Sequence, residues 1–359
     1  MSIHFHALPV KDIRRETSDC VSIAFSIPAE LKKIFQYKQG QYITVRAKIN
    51  EEEVRRSYSV CSSPLDNELR VAVKKVSQGI FSTYANEALK TGDSLDVMPP
   101  LGKFFTELYP DQTKQYVAFA AGSGITPLLS IIKTTLLTEP KSSFTLVYGN
   151  RNRHSIIFKE ALEGLKNSYI DRFRVIYILS REKTDAAINF GRIDAEKCSV
   201  LCNKNLDITR TDEFFLCGPE NMIFSVKEQL TQMGVDKKHI HFELFTIPGK
   251  KKSSVVRRES SVTTEVKSKI TVKLDGISFD FDLGFEGDAI LDAALKNGAD
   301  LPYACKGGVC CTCRAKLVAG EVDMDVNYGL EPEEIERGFI LTCQSHPRTE
   351  KVVVDFDSK

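Results

Sequence analysis

The chain has 359 residues, enough for two or three domains at about 150 residues each. Apolar residues make up 42% and charged residues 27%, which excludes an intrinsically disordered chain. With 49 basic against 48 acidic side chains the net charge is +1, so the balance argues against nucleic acid or an anionic membrane as the main partner.

The N-terminal stretch MSIHFHALPVKDIRRE lacks the apolar core of a leader, and no run reaches the roughly 18 apolar residues of a membrane span. The expectation is a cytoplasmic protein. In that setting ten cysteines point to metal or redox chemistry before disulfides. Through the first hundred residues, strand-like runs follow one another closely: Cys20 to Ile27, Gln41 to Ile49, Val54 to Val60 and Leu69 to Val76. Such spacing predicts a small antiparallel β-barrel, with a helix over Phe81 to Leu89 as its cap.

From about Tyr109 the period changes. The strand runs QYVAFAA, FTLVYGN, RVIYILS, EFFLCG and HIHFELF alternate with helical stretches at Thr126 to Leu137, Phe158 to Lys166 and Glu220 to Met233. Alternation of this kind predicts an α/β doubly wound parallel sheet. The segment PGKKKSSVVRRESSVTTEVKSK has no apolar face and reads as a flexible linker. Strands at Lys269 to Leu274 and Ser278 to Leu283, a helix near Ala289 to Lys296 and a final strand at Lys351 to Phe356 make a third unit around a cysteine-rich loop.

That loop reads Cys305-Lys-Gly-Gly-Val-Cys310-Cys311-Thr-Cys313, with Cys343 far downstream. C-x4-C-x2-C with a remote fourth cysteine is the plant-type [2Fe–2S] spacing, whereas structural zinc usually takes two close pairs. Gly307 and Gly308 free the backbone to turn N–H groups toward the cluster. Cys311 lies off the spacing and reads as a bystander, and Cys20, Cys61, Cys198 and Cys202 read as buried packing.

Two further motifs suit nucleotides. Gly79 and Ser82 form a Gly turn with a hydroxyl at a helix start, an arrangement suited to a pyrophosphate, and it follows Arg56-Ser57-Tyr58-Ser59. The turn Gly122-Ser123-Gly124-Ile125-Thr126-Pro127 follows a strand and opens a helix, with Thr126 as expected cap and Pro127 at the expected first helical position. Cys217-Gly218-Pro219 ends another strand, where a parallel sheet faces its ligand crevice, so Cys217 can lie beside a nicotinamide. Ser180 and Arg181 stand where such a sheet binds a 2′-phosphate, and an Arg rather than an acid there favours NADPH over NADH.

R-x-Y-S, G-x-x-S, G-S-G-I-T-P and C-G-P occur here in the order that resembles the ferredoxin–NADP reductase superfamily. The C-terminal cysteine unit resembles the phthalate dioxygenase reductase arrangement. LPYACKGGVC, NYGLEPEEIERGFILTCQ, VVVDFD, VRRSYSV, YGNR and IHFELF are similar to the reductase subunits of ring-1,2-phenylacetyl-CoA epoxidases. The resemblance implies a multidomain protein: an antiparallel β-barrel FAD-binding domain over 1–108, an α/β NAD(P)-binding domain over 109–247, a linker over 248–268 and an α+β, β-grasp [2Fe–2S] ferredoxin-type domain over 269–359.

It also implies roles. Arg56, Tyr58 and Ser59 would hold the flavin, with Ser59 near its reactive nitrogen, and Gly79 and Ser82 its pyrophosphate. Gly122, Gly124 and Thr126 would take the nicotinamide nucleotide, with Ser180 and Arg181 at the 2′-phosphate and Cys217, Gly218 and Pro219 at the nicotinamide. Glu243 and Phe245 occupy the place of an acid and an aromatic near the flavin; with Ser59 and Cys217, Glu243 completes the catalytic candidates. Cys305, Cys310, Cys313 and Cys343 would ligate the cluster.

The function so implied is an NAD(P)H-dependent flavin and iron–sulfur oxidoreductase. It would pass electrons from NADPH through FAD and the cluster to the di-iron oxygenase subunits of a multicomponent monooxygenase or epoxidase. The chain lacks the paired Glu-x-x-His motifs of a di-iron site, so oxygen chemistry is expected on a different polypeptide. Two alternatives stay open on these residues: an NADH and FMN reductase serving a Rieske dioxygenase, and a redox-sensing iron–sulfur protein.

Overall fold

The computed structural model describes residues 4–245 and 267–358. They form two compact units, one spanning Phe5–Phe245 and a C-terminal one described over 267–358. Most of the expected linker, 248–266, lies outside the described residues. The strand after it begins at Lys267, two residues ahead of the expected start.

The first unit opens with β1 (His6–Thr17), β2 (Cys20–Phe25), β3 (Tyr42–Ile49), β4 (Glu52–Ser59), β5 (Leu69–Lys74), α1 (Ile80–Glu87) and β6 (Ser94–Val97). These strands pair antiparallel in the order β4-β3-β6-β1-β2-β5. An antiparallel bridge from Val60 to Val71 links the two edges, as a small barrel requires. Leu8, Ile23, Phe35, Ile43, Val60, Val73 and Val97 fill its interior. Neither β1 nor β6 is among the expected strands. β1 carries the charged run KDIRRE and is bulged at two points, so it lacks a clean two-residue alternation.

The chain continues with β7 (Gln115–Ala121), α2 (Ile125–Thr138), β8 (Ser143–Asn150), α3 (Lys159–Ser168), β9 (Phe173–Leu179), α4 (Ala195–Lys204), β10 (Glu213–Gly218), α5 (Glu220–Gln232) and β11 (Ile240–Leu244). All pairs in this sheet are parallel and its order is β11-β10-β7-β8-β9, so the winding reverses between β7 and β10. Helix α4 is not among the expected helices. Its face is defined by Cys198, Leu201 and Cys202, and the two cysteines stand one turn apart with their sulfurs 3.9 Å from each other. Both are buried, as the sequence reading of Cys198 and Cys202 expects.

Barrel and parallel sheet share one core. Cys20, Cys61, Ala72 and Phe104 of the barrel pack with Ile125, Leu128, Ile132 and Phe215. Across that seam the buried Ser130 hydroxyl donates to the Ser62 carbonyl at 2.6 Å, and the Ser63 and Thr134 hydroxyls meet at 2.9 Å.

The C-terminal unit contains β12 (Lys267–Leu274), β13 (Ile277–Gly284), α6 (Ile290–Lys296), β14 (Arg314–Ala319), β15 (Val322–Met324), α7 (Pro332–Glu336), β16 (Phe339–Leu341), β17 (Ser345–Pro347) and β18 (Lys351–Asp355). Its main sheet runs β13-β12-β18-β14-β16, with β12 and β18 parallel. Ile290, Leu291 and Ala294 of α6 join Ile270, Phe339 and Val352 in its core. No helix among the described residues is long and apolar enough to cross a membrane.

Candidate functional site

Ser59 is the last residue of β4, paired with Tyr42 of β3 and buried at the barrel's end. Its hydroxyl donates to Glu243 Oε2 at 2.9 Å across the barrel–sheet seam. Desolvation pushes the Glu243 carboxyl up to about 7, while the Ser59 hydrogen bond pulls the other way. Parallel pairing sets Glu243 of β11 beside Cys217 of β10. Cys217 is fully buried, and burial, helped by the Glu243 charge, pushes its thiol well up. It stays a neutral, small wall residue at working pH.

Gly124 binds the seam more tightly. A side chain there would collide with the Cys217 carbonyl and come within 2.7 Å of the Gly218 nitrogen. The turn after β7 is thus locked against the end of β10, at the reversal of the winding, where an open parallel sheet takes its ligand. Gly122 has φ +55, a left-handed conformation that glycine adopts freely. Helix α2 starts at Ile125, one residue earlier than expected, so Pro127 is its third residue rather than its first. Proline fits anywhere in that first turn because those N–H groups have no helical partner. Thr126 is not the cap: its hydroxyl donates back to the Ser123 carbonyl at 3.0 Å. No side chain caps this end; a 3-10 turn over Gly122–Gly124 runs into it, and the Ile125 N–H donates to the Gly122 carbonyl.

One residue missed in the sequence is Lys74. It comes from β5 of the barrel, and its ammonium lies 3.9 Å from the position a Gly122 side chain would take. Only strand pairing brings it there, and no local motif announces it.

On the barrel side, Arg56 is exposed and Tyr58 stands against the Phe81 ring, centroids 5.5 Å apart. Burial pushes the Tyr58 phenol up, so it remains a neutral donor. Gly79 precedes α1, and a side chain on it would collide with Ser82 Oγ and Val76. The Ser82 hydroxyl accepts from the Val76 N–H at 3.2 Å and donates to the Gly79 carbonyl at 3.2 Å, holding the turn itself. The uncapped α1 N-terminus and this cradle fit a pyrophosphate-bearing flavin.

At the end of β9 the Ser180 and Arg181 amides donate to the carbonyls of Asn150 and Arg151. The Arg151 and Arg181 side chains are both exposed. The expectation of no acid here does not hold, because Glu182 follows directly. Its carboxylate is held by the Arg153 N–H at 2.8 Å and the Arg153 guanidinium at 2.5 Å. Phe245 is 39% exposed at the end of the first described segment.

In the C-terminal unit the four thiols fall into two pairs. Cys310 lies 3.1 Å from Cys305, and Cys313 hydrogen-bonds to Cys343. The Cys310 S–H and the Gly307 N–H, the latter at 3.3 Å, hold the Cys305 thiol below its ordinary range. Cys343 is lowered in the same way by the Cys313 S–H, then by Gln344 and the Gly308 N–H. Lys306 and Gly308 have φ +49 and +73, which turns these amides inward. A side chain on Gly308 would lie 2.9 Å from Val326. Cys311 points elsewhere, donating to the Gly329 carbonyl at 2.7 Å. Two thiolate pairs in an amide cradle fit a [2Fe–2S] centre, which takes two thiolates per iron.

Hydride-accepting and single-electron sites on one chain define a flavin-dependent reductase with an iron–sulfur domain. The oxidoreductase FAD-binding family matches residues 7–106, the oxidoreductase NAD-binding family 119–228 and the 2Fe-2S iron-sulfur cluster binding family 272–348. One of the subunits of the 1,2-phenylacetyl-CoA epoxidase of Escherichia coli K12 is 44% identical over 99% of this chain and 98% of its own. The ferredoxin reductase component of the 3-ketosteroid-9-alpha-monooxygenase of Rhodococcus rhodochrous is 32% identical over 97% and 96%. The solved structure of phthalate dioxygenase reductase superposes with a TM-score of 0.59 at 22% identity, covering 98% of each chain, and shares the fold. The chain belongs to the ferredoxin reductase superfamily, in the family of oxygenase reductase components that includes the phenylacetyl-CoA epoxidase reductase.

Proposed function

We propose that this chain draws electrons from NADPH and delivers them singly to the oxygenase component of a phenylacetyl-CoA epoxidase, in the cytoplasm. The contact of Ser59 with Glu243, beside Cys217, carries this reading: it brings the flavin barrel and the nicotinamide crevice to one point within a single compact unit. In this reading residues 1–108 carry FAD, 109–247 the nicotinamide nucleotide and 269–359 the cluster, with 248–268 connecting them. FAD and the cluster, when bound, supply hydride acceptance and single-electron transfer.

The chain's residues bind, orient and shield. Gly122, Gly124, the α2 N-terminus and the Lys74 ammonium receive the anionic pyrophosphate of the nicotinamide nucleotide, with Thr126 holding the turn. Cys217, Gly218 and Pro219 wall the nicotinamide pocket, and the neutral thiol of Cys217 keeps that pocket uncharged. Arg56, Tyr58, Gly79 and Ser82 seat the flavin, and in this reading Phe245 is the aromatic beside it. Ser59 and Glu243 share a proton between Oγ and Oε2 beside the reacting face. Ser180 and Arg181, joined by Arg151, favour a 2′-phosphate; Arg153 engages the neighbouring Glu182 and so limits its repulsion.

The test is anaerobic titration of the full chain with NADPH and, separately, NADH, following flavin absorbance and the electron paramagnetic resonance of the reduced cluster. Turnover with the epoxidase oxygenase and phenylacetyl-CoA follows. Preferred use of NADPH and coupled substrate oxidation support the reading; a chain that reduces its cluster with neither nucleotide overturns it.

A further inference from the structure

Gln344 follows Cys343 and turns its side chain back into the cysteine loop, where it is only 9% exposed. Its main chain is held on both sides: the N–H donates to the Leu341 carbonyl and the carbonyl accepts from the Asp325 N–H, each at 2.9 Å. The carboxamide Nε2 meets three acceptors, the Cys343 carbonyl at 2.7 Å, the Lys306 carbonyl at 3.3 Å and Cys343 Sγ at 3.5 Å. Carbonyl oxygens only accept, so the amino end of the carboxamide is the end that must face them.

Two N–H bonds thus serve three acceptors. The near Cys343 carbonyl takes one, and the other is shared between the Lys306 carbonyl and the sulfur. A shared donor responds to charge, because a hydrogen bond to an ionised acceptor is about twice as strong as one to a neutral acceptor. It turns toward the sulfur as the thiolate gains negative charge and toward the carbonyl as that charge falls. Lys306 also carries the left-handed turn, φ +49, that sets the Gly307 N–H 3.3 Å from Cys305 Sγ. One side chain therefore ties a sulfur of one thiol pair to the turn that serves the other.

One-electron reduction of a thiolate-ligated centre adds a negative charge without a proton, and hydrogen bonds to the sulfurs help to set its potential. A donor that strengthens with negative charge favours the reduced form. We propose that Gln344 is a positioning residue that raises the reduction potential of the [2Fe–2S] centre by donating from Nε2 to the Cys343 thiolate. The inference rests on the reading of Cys343 as a cluster ligand and adds to it the side chain that sets how readily the centre takes its electron.

The experiment is a potentiometric titration of the anaerobically reconstituted full-length chain, following the electron paramagnetic resonance of the reduced cluster, for wild type, Gln344→Met and Gln344→Leu. Iron and acid-labile sulfide are measured in each. The two variants fill the site with apolar atoms of different shape, and neither can donate. The expected result is wild-type iron content with the potential lowered alike in both. At the wild-type midpoint the ratio of reduced to oxidised cluster falls about tenfold, which is about 59 mV for a one-electron couple. An unchanged or raised potential in either variant overturns the proposal and assigns the carboxamide to packing. Where the variants assemble no cluster, wild-type chain labelled with nitrogen-15 in its glutamine side chains decides. Pulsed resonance of its reduced cluster shows a coupling to that nitrogen if Nε2 donates to the sulfur, and the lack of one overturns the proposal. Cys343→Ser separates the two readings. A cluster signal retained there overturns the ligand assignment and this inference together, whereas its loss, with wild-type potential in both Gln344 variants, overturns this inference alone.

Discussion

Glu243 is protonated in the folded chain up to about pH 7, whereas in the unfolded chain it ionises at its ordinary value near 4.5. A raised carboxyl stabilises the fold at low pH, and that contribution is lost as pH rises from the unfolded value through the folded one. Glu243→Gln is therefore expected to flatten thermal stability between about pH 4.5 and 7 and to be the more stable form above it, read by denaturation at each pH. Ser59→Ala removes the hydrogen bond that lowers this carboxyl. The pH midpoint of flavin reduction should move upward, in stopped-flow traces across the same range. Arg181→Ala should cut kcat/KM for NADPH relative to NADH about tenfold, the scale of one charged hydrogen bond. Arg56, Ser59, Arg181 and the four cysteines could be singled out as candidates from local motifs because each sits at a fixed offset from its neighbours. Lys74 could not, since its place beside the Gly122 turn comes from strands that pair across the fold.

Helix α2 joins two sites. Its N-terminus meets the end of β10 through Gly124, and further along it Ser130 and Thr134 tie into the barrel. Gly124→Ala must part α2 from Cys217 or distort the turn, at a cost of about 1–3 kcal/mol for overpacking. Urea unfolding should show that loss, and nucleotide affinity should fall with FAD content retained. The alternating strands and helices of the parallel sheet were readable because buried parallel strands are continuous apolar runs. Helix α4 escaped because only Cys198, Leu201 and Cys202 mark its face within a polar run. Strands β1 and β6 escaped for the matching reason: one is charged and bulged, the other four residues long.

The two compact units predict separable losses. Cys343→Ser removes one partner of the second thiol pair, so iron content and the reduced-cluster resonance should collapse. FAD content and reduction of the flavin by NADPH should remain, since Phe5–Phe245 holds its own core. Retained cluster signal in that variant would refute the ligand assignment. The sequence by itself determined the identity of the modules, because strand periodicity, glycine turns and cysteine spacing are local properties of a chain. Only the tertiary structure decided which side chains meet: Ser59 with Glu243, Glu243 beside Cys217, Lys74 with the Gly122 turn. Those are contacts between residues far apart along the polypeptide, and nothing in local spacing encodes where barrel closure and sheet winding bring them together.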